Sequence, residues 1–412
     1  MMLNFNFRHL ASVSLKLCFI LAFLTSCTSL NNTTSSNYQD TKELNVAEVL
    51  TELSQNSSIE SPGNFSNKRI TSRDLKHLKL QHLDLSFNQF DQSNFEHSNL
   101  SHIIFHASHM RGANFSNSTL SHVDFSGTDL SNAIFINTTL NNVKFNGAKF
   151  NNTTFTNSTF TDSTFTRASF SDATISSSHF TRCQLNNARF DYSNITSSNF
   201  YKCNLQNSQF TGGKFSYVRF NESFLKKTAF IHTEMKHMEF KNSQLTNLAI
   251  KNSQLSYANL KNAKAIGLQI LNSTVHSSQF DNADLRESLL DESTFTDTSM
   301  KNTNLELTKL KYTNLDNADL SYSLLSRAQF HRASLVNANL SHSKNKWTSY
   351  IMSNLTSSSF HNADIHRTDF RGANLKNVDL KTTKNRKYAI GLDKANNYLE
   401  PEQTINRIPE NN

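Results

Sequence analysis

Apolar side chains recur at every fifth position along most of this chain. From Leu85 to Leu340, every residue whose number is a multiple of five is apolar, which gives 52 consecutive matches. From Ser108 to Ser208, the residue two positions before each of these centres is always Ala, Ser, Thr, Cys or Val. A period of five fits neither the 3.6-residue repeat of an α-helix nor the two-residue repeat of a β-strand. It predicts a chain that turns a corner every five residues, with one large and one small side chain pointing inward on each side.

The composition agrees with this arrangement and narrows the possible functions. Only 36% of the 412 residues are apolar, but 32 residues are phenylalanine, and their regular placement argues against a disordered chain. There are only nine glycines, so ordinary polar residues must form the corners. A net charge of +8 is mild for this length, so we expect no nucleic-acid partner and no role that requires a strongly acidic surface.

Asn or Asp often lies between the small residue and the apolar centre, as in Ala113-Asn114-Phe115. This pattern resembles the pentapeptide-repeat family, and the resemblance covers roughly three quarters of the chain. It implies an all-β fold, a right-handed quadrilateral β-helix in which four repeats, or about 20 residues, form each coil. Short capping segments are expected at both ends.

The repeat divides the chain into four segments. We expect the β-helix over residues 65–380, preceded at 27–64 by a polar tether and a short amphipathic helix over Glu43–Leu53. Residues 381–412 are expected to form a C-terminal cap and tail, with the cap over Lys384 to Tyr398.

Residues 1–26 predict a cleaved leader, because a positively charged start precedes an apolar run that is too short to span a bilayer. The run ends in Leu24-Thr25-Ser26-Cys27, which resembles the lipobox of bacterial lipoproteins. The resemblance implies cleavage before Cys27 and acyl chains on this residue, which would anchor the protein to a membrane of the cell envelope. Thr28 follows, not the Asp typical of inner-membrane retention, which favours the outer membrane. The alternative is an ordinary secretory signal with a coincidental cysteine.

The repeat is interrupted at Asn345, which takes the place of an apolar centre. We expect a distorted coil or bulged loop over residues 343–350, where Lys344 and Lys346 flank Trp347, the only tryptophan of the chain. Trp347 either belongs to a contact site or fills the gap left by the missing centre, and we favour the second interpretation.

A modestly basic region surrounds this interruption and continues beyond it, and it could meet an anionic polymer or head group, although a solvated rim is the favoured interpretation. Its residues are Lys344, Lys346, Arg367, Arg371, Lys376, Lys381, Lys384, Arg386 and Lys387.

Two cysteines and two groups of histidines recur at the interval of one expected coil, so successive coils would stack them. Cys183 and Cys203 are both at the small inward position. They would lie within disulfide range, but parallel side chains give a poor torsion angle, so small-residue packing is favoured over a disulfide.

The histidines His82, His102 and His122 are at an outward position, and His77 and His97 form a second, shorter series. Stacked imidazoles could share a Zn²⁺ or Cu²⁺ ion. They would repel one another when protonated, which predicts a pH response. A solvated column without metal is the favoured alternative.

The sequence predicts a protein that is not an enzyme and uses no cofactor, because we find no phosphate loop, His-Glu-x-x-His motif, nucleophile elbow or two-cysteine zinc pattern. The favoured function is a lipid-anchored binding or structural scaffold at the bacterial cell envelope, with an unidentified protein or glycan partner. Some members of the resembling family mimic DNA and protect type II topoisomerases, but residues 81–380 carry 27 Lys and Arg against 23 Asp and Glu. That charge and the leader oppose this alternative. A third alternative is an exported factor that acts on host cells.

Overall fold

The structure is a computed structural model that describes residues 46–67 and 74–397. One helix, α1 (Val46–Gln55), precedes the strands. The strands are β1 (Gly63–Asn64), β2 (Lys79–Asp84), β3 (Asn99–Ile104), β4 (Thr119–Ser121), β5 (Ile134–Ile136), β6 (Thr139–Asn141), β7 (Thr154–Thr156), β8 (Thr159–Thr161), β9 (Thr174–Ser176), β10 (His179–Thr181), β11 (Asn194–Thr196), β12 (Asn199–Tyr201), β13 (Gln209–Thr211), β14 (Lys214–Ser216), β15 (Ala229–Ile231), β16 (Glu234–Lys236), β17 (Ala249–Lys251), β18 (Gln254–Ser256), β19 (Gln269–Leu271), β20 (Thr274–His276) and β21 (Thr294–Thr296).

The strands form a parallel β-solenoid. Three sheets contain them in the orders β1-β2-β3-β4-β6-β8-β10-β12, β21-β20-β18-β16-β14-β11-β9-β7-β5 and β13-β15-β17-β19. Strand partners are one coil apart in the sequence, as in Phe135↔Phe155 and Phe210↔Phe230. Single-residue bridges extend these pairings into four ladders, one on each side of the coil, and one of them reaches from Asp74 to Asn396. At about 4.8 Å between stacked strands, that ladder is on the order of 75 Å long.

The inward positions are those that the five-residue repeat predicts. Nearly all side chains at the centres and at the small positions two residues earlier are buried, whereas most residues between and after them reach the surface. Phenylalanines stack from coil to coil, with 5.1 Å between the ring centroids of Phe115 and Phe135 and of Phe135 and Phe155. Such ring pairs stabilise a core beyond the area that they bury. The predicted β-helical fold is therefore confirmed.

Serine and threonine fit the small inward positions because their hydroxyls bond to the backbone of the coil before. The Ser118 hydroxyl donates to the carbonyl oxygen of Phe95 at 2.6 Å and accepts from the backbone N–H of Ser98 at 3.0 Å. Thr128 donates in the same way to Phe105 at 2.9 Å. These bonds satisfy buried polar groups that would otherwise destabilise the core.

Each corner places a residue in the left-handed backbone region. From His77 to Asn377, the residue two positions after every centre has a positive φ, and asparagine is frequent there. Asparagine tolerates this conformation better than most residues, so few glycines are needed. The corner conformation explains how the polar residues expected from the composition turn the chain.

Both ends of the solenoid carry additional structure. Helix α1 packs on β2, burying Val49 and Leu50, and the Ser54 hydroxyl exchanges hydrogen bonds with the backbone of Gln81. The described part of this helix begins at Val46, within the predicted range, and extends to Gln55.

At the C-terminal end, 3₁₀ turns at Arg386–Tyr388 and Leu392–Lys394 lie between residues that still pair with the preceding coil, namely Lys384, Ile390 and Asn396. The backbone N–H of Ile390 donates to the carbonyl oxygen of Thr368 at 2.8 Å, so this predicted cap is a modified final coil.

Candidate functional surface

The interior of the described solenoid is filled, so any ligand of these residues must contact the sides or the corners. Depressions on this surface are open, with volumes of about 330 to 420 Å³. One of them lies beside a column of histidines, and two flank a column of aromatic rings.

The predicted histidine columns are present near the N-terminal end. The ring centroids of His82 and His102 are 5.0 Å apart, and those of His102 and His122 are 4.7 Å apart with parallel rings. On the neighbouring corner, His77 and His97 stack at 5.0 Å. Burial, together with the neighbouring His122 and His82, lowers the pKa of His102 from its ordinary value.

The stacked geometry does not support the alternative of a metal ion shared by His82, His102 and His122. Within residues 46–67 and 74–397, no group of three or more His, Cys, Asp or Glu side chains could hold a metal ion. The rings of His102 and His122 are parallel, so their nitrogen lone pairs lie in parallel planes and do not point toward a common ion, whereas the His82 ring is tilted by 34° from that of His102. In addition, Nδ1 of His102 and of His122 each form a hydrogen bond of 2.9 Å with the hydroxyl of the preceding serine.

Cys183 and Cys203 are free thiols at buried, stacked positions. Each thiol donates to a backbone carbonyl of the coil before, Cys183 to Phe160 at 3.4 Å and Cys203 to Phe180 at 3.3 Å. Burial, assisted by the neighbouring Cys183, raises the pKa of Cys203 well above its ordinary value. The disulfide alternative is not formed in the structure, and the two side chains pack as small inward residues.

The coil around Asn345 is regular, so the predicted distortion over residues 343–350 is wrong. The backbone N–H of Asn345 donates to the backbone carbonyl oxygen of Asp364 at 2.8 Å, as its equivalents do in other coils. Its buried side chain donates to the Ser343 hydroxyl and accepts from the Tyr350 hydroxyl, both at 2.7 Å. A tyrosine hydroxyl is already protonated at neutral pH, and burial raises the pKa of Tyr350 further above its ordinary value, so this phenol acts as the donor. Asn345 and Tyr350 thus occupy two successive centres, and the hydrogen bond between them satisfies their buried polar atoms.

Trp347 is on a corner and does not fill a gap in the core. Its side chain is 43% exposed, and its backbone has a φ of 63°. The Arg367 guanidinium lies 4.4 Å from the centre of the indole ring, in the arrangement of a cation–π contact. Lys344 and Lys346 are exposed beside it. The favoured interpretation of Trp347 as a core residue is therefore wrong, and its interpretation as a contact residue stays a prediction.

The predicted basic region is distributed over several sides of the last coils. Lys344 and Lys384 lie on one ladder, with Asp364 between them. Arg367 and Arg371 flank the next side, where Arg371 forms an ion pair of 2.7 Å with Asp369. The basic residues therefore do not form one continuous patch.

An aromatic column in the middle of the rod is a feature that the sequence analysis missed. The rings of Tyr217, His237 and Tyr257 stack at 4.5 and 5.0 Å along one corner. They recur once per coil at the position two after a centre, and this periodicity is the signal that could have revealed them. Two open depressions of about 410 and 420 Å³ lie on the two sides of this column.

The predicted leader and lipobox, including Leu24, Thr25, Ser26 and Cys27, lie outside the described residues. Within the part of the chain that the structure describes, no helix has both the length and the apolar character needed to cross a membrane.

Two family models match most of the repeat. A model described as pentapeptide repeat region matches residues 80–155, 114–190 and 188–260. A second, described as pentapeptide repeats (8 copies), matches residues 278–315, 313–344 and 351–382. A search of curated proteins found no match.

Solved structures with similar folds include HetL from the cyanobacterium Nostoc sp. strain PCC 7120. It is 23% identical with a TM-score of 0.35, and the match covers 50% of this chain and 90% of HetL. QnrB1, a plasmid-mediated fluoroquinolone resistance protein, is 19% identical with a TM-score of 0.21, and the match covers 48% of this chain and 92% of QnrB1. A thylakoid-lumen protein of Arabidopsis thaliana is 19% identical with a TM-score of 0.13, covering 32% of this chain and 69% of that protein.

Proposed function

Because the chain belongs to the pentapeptide-repeat family, we propose that it is a non-catalytic, lipid-anchored rod that binds a partner through its sides at the bacterial cell envelope. Proteins of this family are generally non-catalytic. The filled interior carries the proposal, since the inward side chains leave the described residues only outer surfaces for recognition. A ligand that is bound there must be extended or large, because the depressions are open to solvent.

The Leu24-Thr25-Ser26-Cys27 sequence supports the anchor, since it combines the residue types and the order of a lipobox. Acyl chains on Cys27 would hold the N-terminal end of the solenoid near the membrane. The last coils would then stand up to about 75 Å from the first ones, by the spacing of stacked strands. In this proposal the rod holds its partner at a distance from the lipid surface.

The experiment is intact mass spectrometry of the protein extracted from membranes. The expected product begins at Cys27 and carries the added mass of diacylglycerol and an acyl chain. A Cys27→Ala variant should lose this modification, whereas Cys18→Ala, a matched change inside the leader, should give the same product as the natural sequence. Unmodified full-length protein in the soluble cytosolic fraction would contradict the proposal.

A further inference from the structure

Exposed apolar side chains are concentrated on one side of the last coils. Six of the fourteen exposed large hydrophobic residues in the described chain lie there, namely Leu307, Tyr312, Trp347, Met352, Tyr388 and Ile390. The ladder that runs from Lys309 through Ser349 to Ile390 forms the middle of this side. We call residues 307–312, 327–332, 347–352 and 367–372 the Trp347 face.

Neither burial nor backbone preference explains the apolar residues of the Trp347 face. Leu307, Tyr312, Trp347 and Met352 are 43–57% exposed. All four are at corner positions with φ between 58° and 63°. A bulky residue in this region of backbone space is an outlier, and asparagine or glycine serves the same purpose at many other corners. The residue types on this face therefore indicate a contact with something outside the described chain.

The Trp347 face is also positively charged. It carries six basic residues, Lys309, Lys311, Arg327, Arg332, Arg367 and Arg371, and one carboxylate, Asp369, which is paired with Arg371 at 2.7 Å. The preceding coil on the same side, residues 287–292, instead carries three carboxylates and no Lys or Arg. The positive charge thus begins where the exposed apolar residues begin.

Aromatic rings and guanidinium groups are in contact on this face. The Arg367 guanidinium lies 4.4 Å from the Trp347 ring centre, and that of Arg332 lies 5.8 Å from the Tyr312 ring centre. Trp, Tyr, Met and Arg are the residues enriched in the centres of protein–protein interfaces. An arginine held over a ring keeps its outer N–H groups available for a carboxylate.

We propose that the Trp347 face is a docking surface for a protein segment that presents carboxylates around apolar side chains. This inference rests on the proposed function as a binder and adds the site and the chemistry of the partner. Charge complementarity selects an acidic partner, since five of the six basic groups have no carboxylate on this face as an ion-pair partner. The aliphatic side chains of Leu307 and Met352 select a protein, because a nucleic acid or an anionic glycan offers them little apolar surface.

The probe is a library of random 12-residue peptides, selected against the full chain purified in detergent. Peptides enriched in this way should carry both Asp or Glu and Leu or aromatic residues. A synthetic copy of the most enriched peptide is then titrated while tryptophan fluorescence is recorded. Trp347 is the only tryptophan of the chain, so with any tryptophan of the peptide replaced by phenylalanine, a change in emission reports binding that alters the surroundings of Trp347.

Three variants test the contributions of charge and apolar contact. Arg367→Glu and Leu307→Asn should each weaken peptide binding at least about tenfold, as for residues at the centre of an interface. Arg167→Glu is the matched control, because Arg167 is at the same corner of an earlier coil, with a φ of 61° and exposed like Arg367. It should leave the affinity unchanged.

Two results would overturn the inference. One is enrichment of peptides without carboxylates, or of peptides that bind equally to Arg367→Glu. The other is that double-stranded DNA or polyglutamate displaces the labelled peptide as well as the unlabelled peptide does, and that Leu307→Asn does not change this displacement. That result would identify a surface for polyanions in general. The two proposals can fail independently. Either result would leave the proposal of a lipid-anchored rod standing if the Cys27 modification is found. Conversely, absence of that modification would not change peptide binding by the purified chain.

Discussion

At the scale of single residues, the corner positions can be compared from coil to coil, which shows where the residue type is not the one that the backbone conformation favours. Leu307 has a φ of 61° and is 48% exposed. Asn187, at the same corner of an earlier coil, has the same φ of 61°. Asparagine relieves part of the strain of a left-handed backbone and removes an exposed apolar side chain. We expect Leu307→Asn to raise the free energy of unfolding by about 0.5–1 kcal/mol.

Chemical denaturation of Leu307→Asn and of the reverse change at the same corner, Asn187→Leu, measures this effect. Asn187→Leu should lower the free energy of unfolding by a similar amount, because it introduces the strain that Leu307 carries. Equal stability of the two variants would show that the corner does not distinguish these residue types. A variant that is more stable but binds peptide less well would indicate that Leu307 is present for contact.

The buried pair of Asn345 and Tyr350 leads to a second prediction at this scale. Tyr350→Phe removes the donor to the Asn345 side-chain oxygen and should cost about 1–3 kcal/mol, the penalty for an unsatisfied buried acceptor. The double variant Asn345→Leu/Tyr350→Phe restores two apolar centres and should be at least as stable as the natural chain.

Thermal and chemical unfolding of the single and double variants would test this coupling. Tyr322→Phe, on an exposed corner, is the control and should change stability by less than about 0.5 kcal/mol. A double variant that is less stable than the natural chain would contradict the account of the pair.

Columns of stacked side chains are the repeating units at the scale of structural elements, because each corner recurs once in every coil. His102 lies between His82 and His122, and its pKa is lowered by burial and by these two neighbours. Its proton affinity is thus lower in the folded than in the unfolded chain. The stability contributed by the neutral ring is complete above the ordinary histidine pKa of about 6.5 and decreases as the pH falls below it.

We expect His102→Asn to reduce the loss of stability between pH 7.5 and pH 5. The measurement is the free energy of unfolding at a series of pH values for the natural chain and the variant. His179→Asn, at an exposed position of β10, is the control. If both variants have the same pH profile as the natural chain, the stacked column does not affect acid stability.

The same columns show what the sequence could predict. Position in the five-residue repeat determines which side chains are inward, and the recurrence once per coil correctly predicted that His82, His102 and His122 would stack. It could not predict that Asn345 is satisfied, because the partner hydroxyl of Tyr350 belongs to the next centre and looks apolar in the repeat. It also could not assign Trp347 to a corner as long as its coil was expected to be distorted.

The positively charged, apolar face is a further feature that a linear sequence hides. Its residues are separated by stretches of ordinary polar repeat, and only the coil brings them to one side. Counting the charges over residues 81–380 gives a mild excess of 27 Lys and Arg over 23 Asp and Glu. The local excess of six to one on the Trp347 face disappears in that average.

At the scale of the whole molecule, the regular coils all have the same length, so the rod can be shortened only in certain steps. Deleting residues 151–170 removes one whole coil and joins the centre Phe150 to Ser171, so the coils on both sides keep their native inward residues. The shorter chain should fold with its sides still aligned, and its length should decrease by about 4.8 Å. Deleting residues 151–168 instead brings the centres Phe150 and Phe170 two positions apart and shifts the repeat, so the following corner cannot form.

Small-angle scattering and thermal unfolding distinguish these two deletions. We expect the whole-coil deletion to keep a cooperative transition and the rod-like scattering profile, whereas the deletion of 151–168 should lose stability strongly despite removing fewer residues. Deletion of a single repeat, residues 151–155, is the most informative comparison. It keeps the inward pattern but turns all later coils by one side, so the chain should fold while the Trp347 face points in a new direction relative to the N-terminal end. If this variant still binds the acidic peptide but no longer supports function in the envelope, the orientation of the face relative to the anchor is what the rod provides.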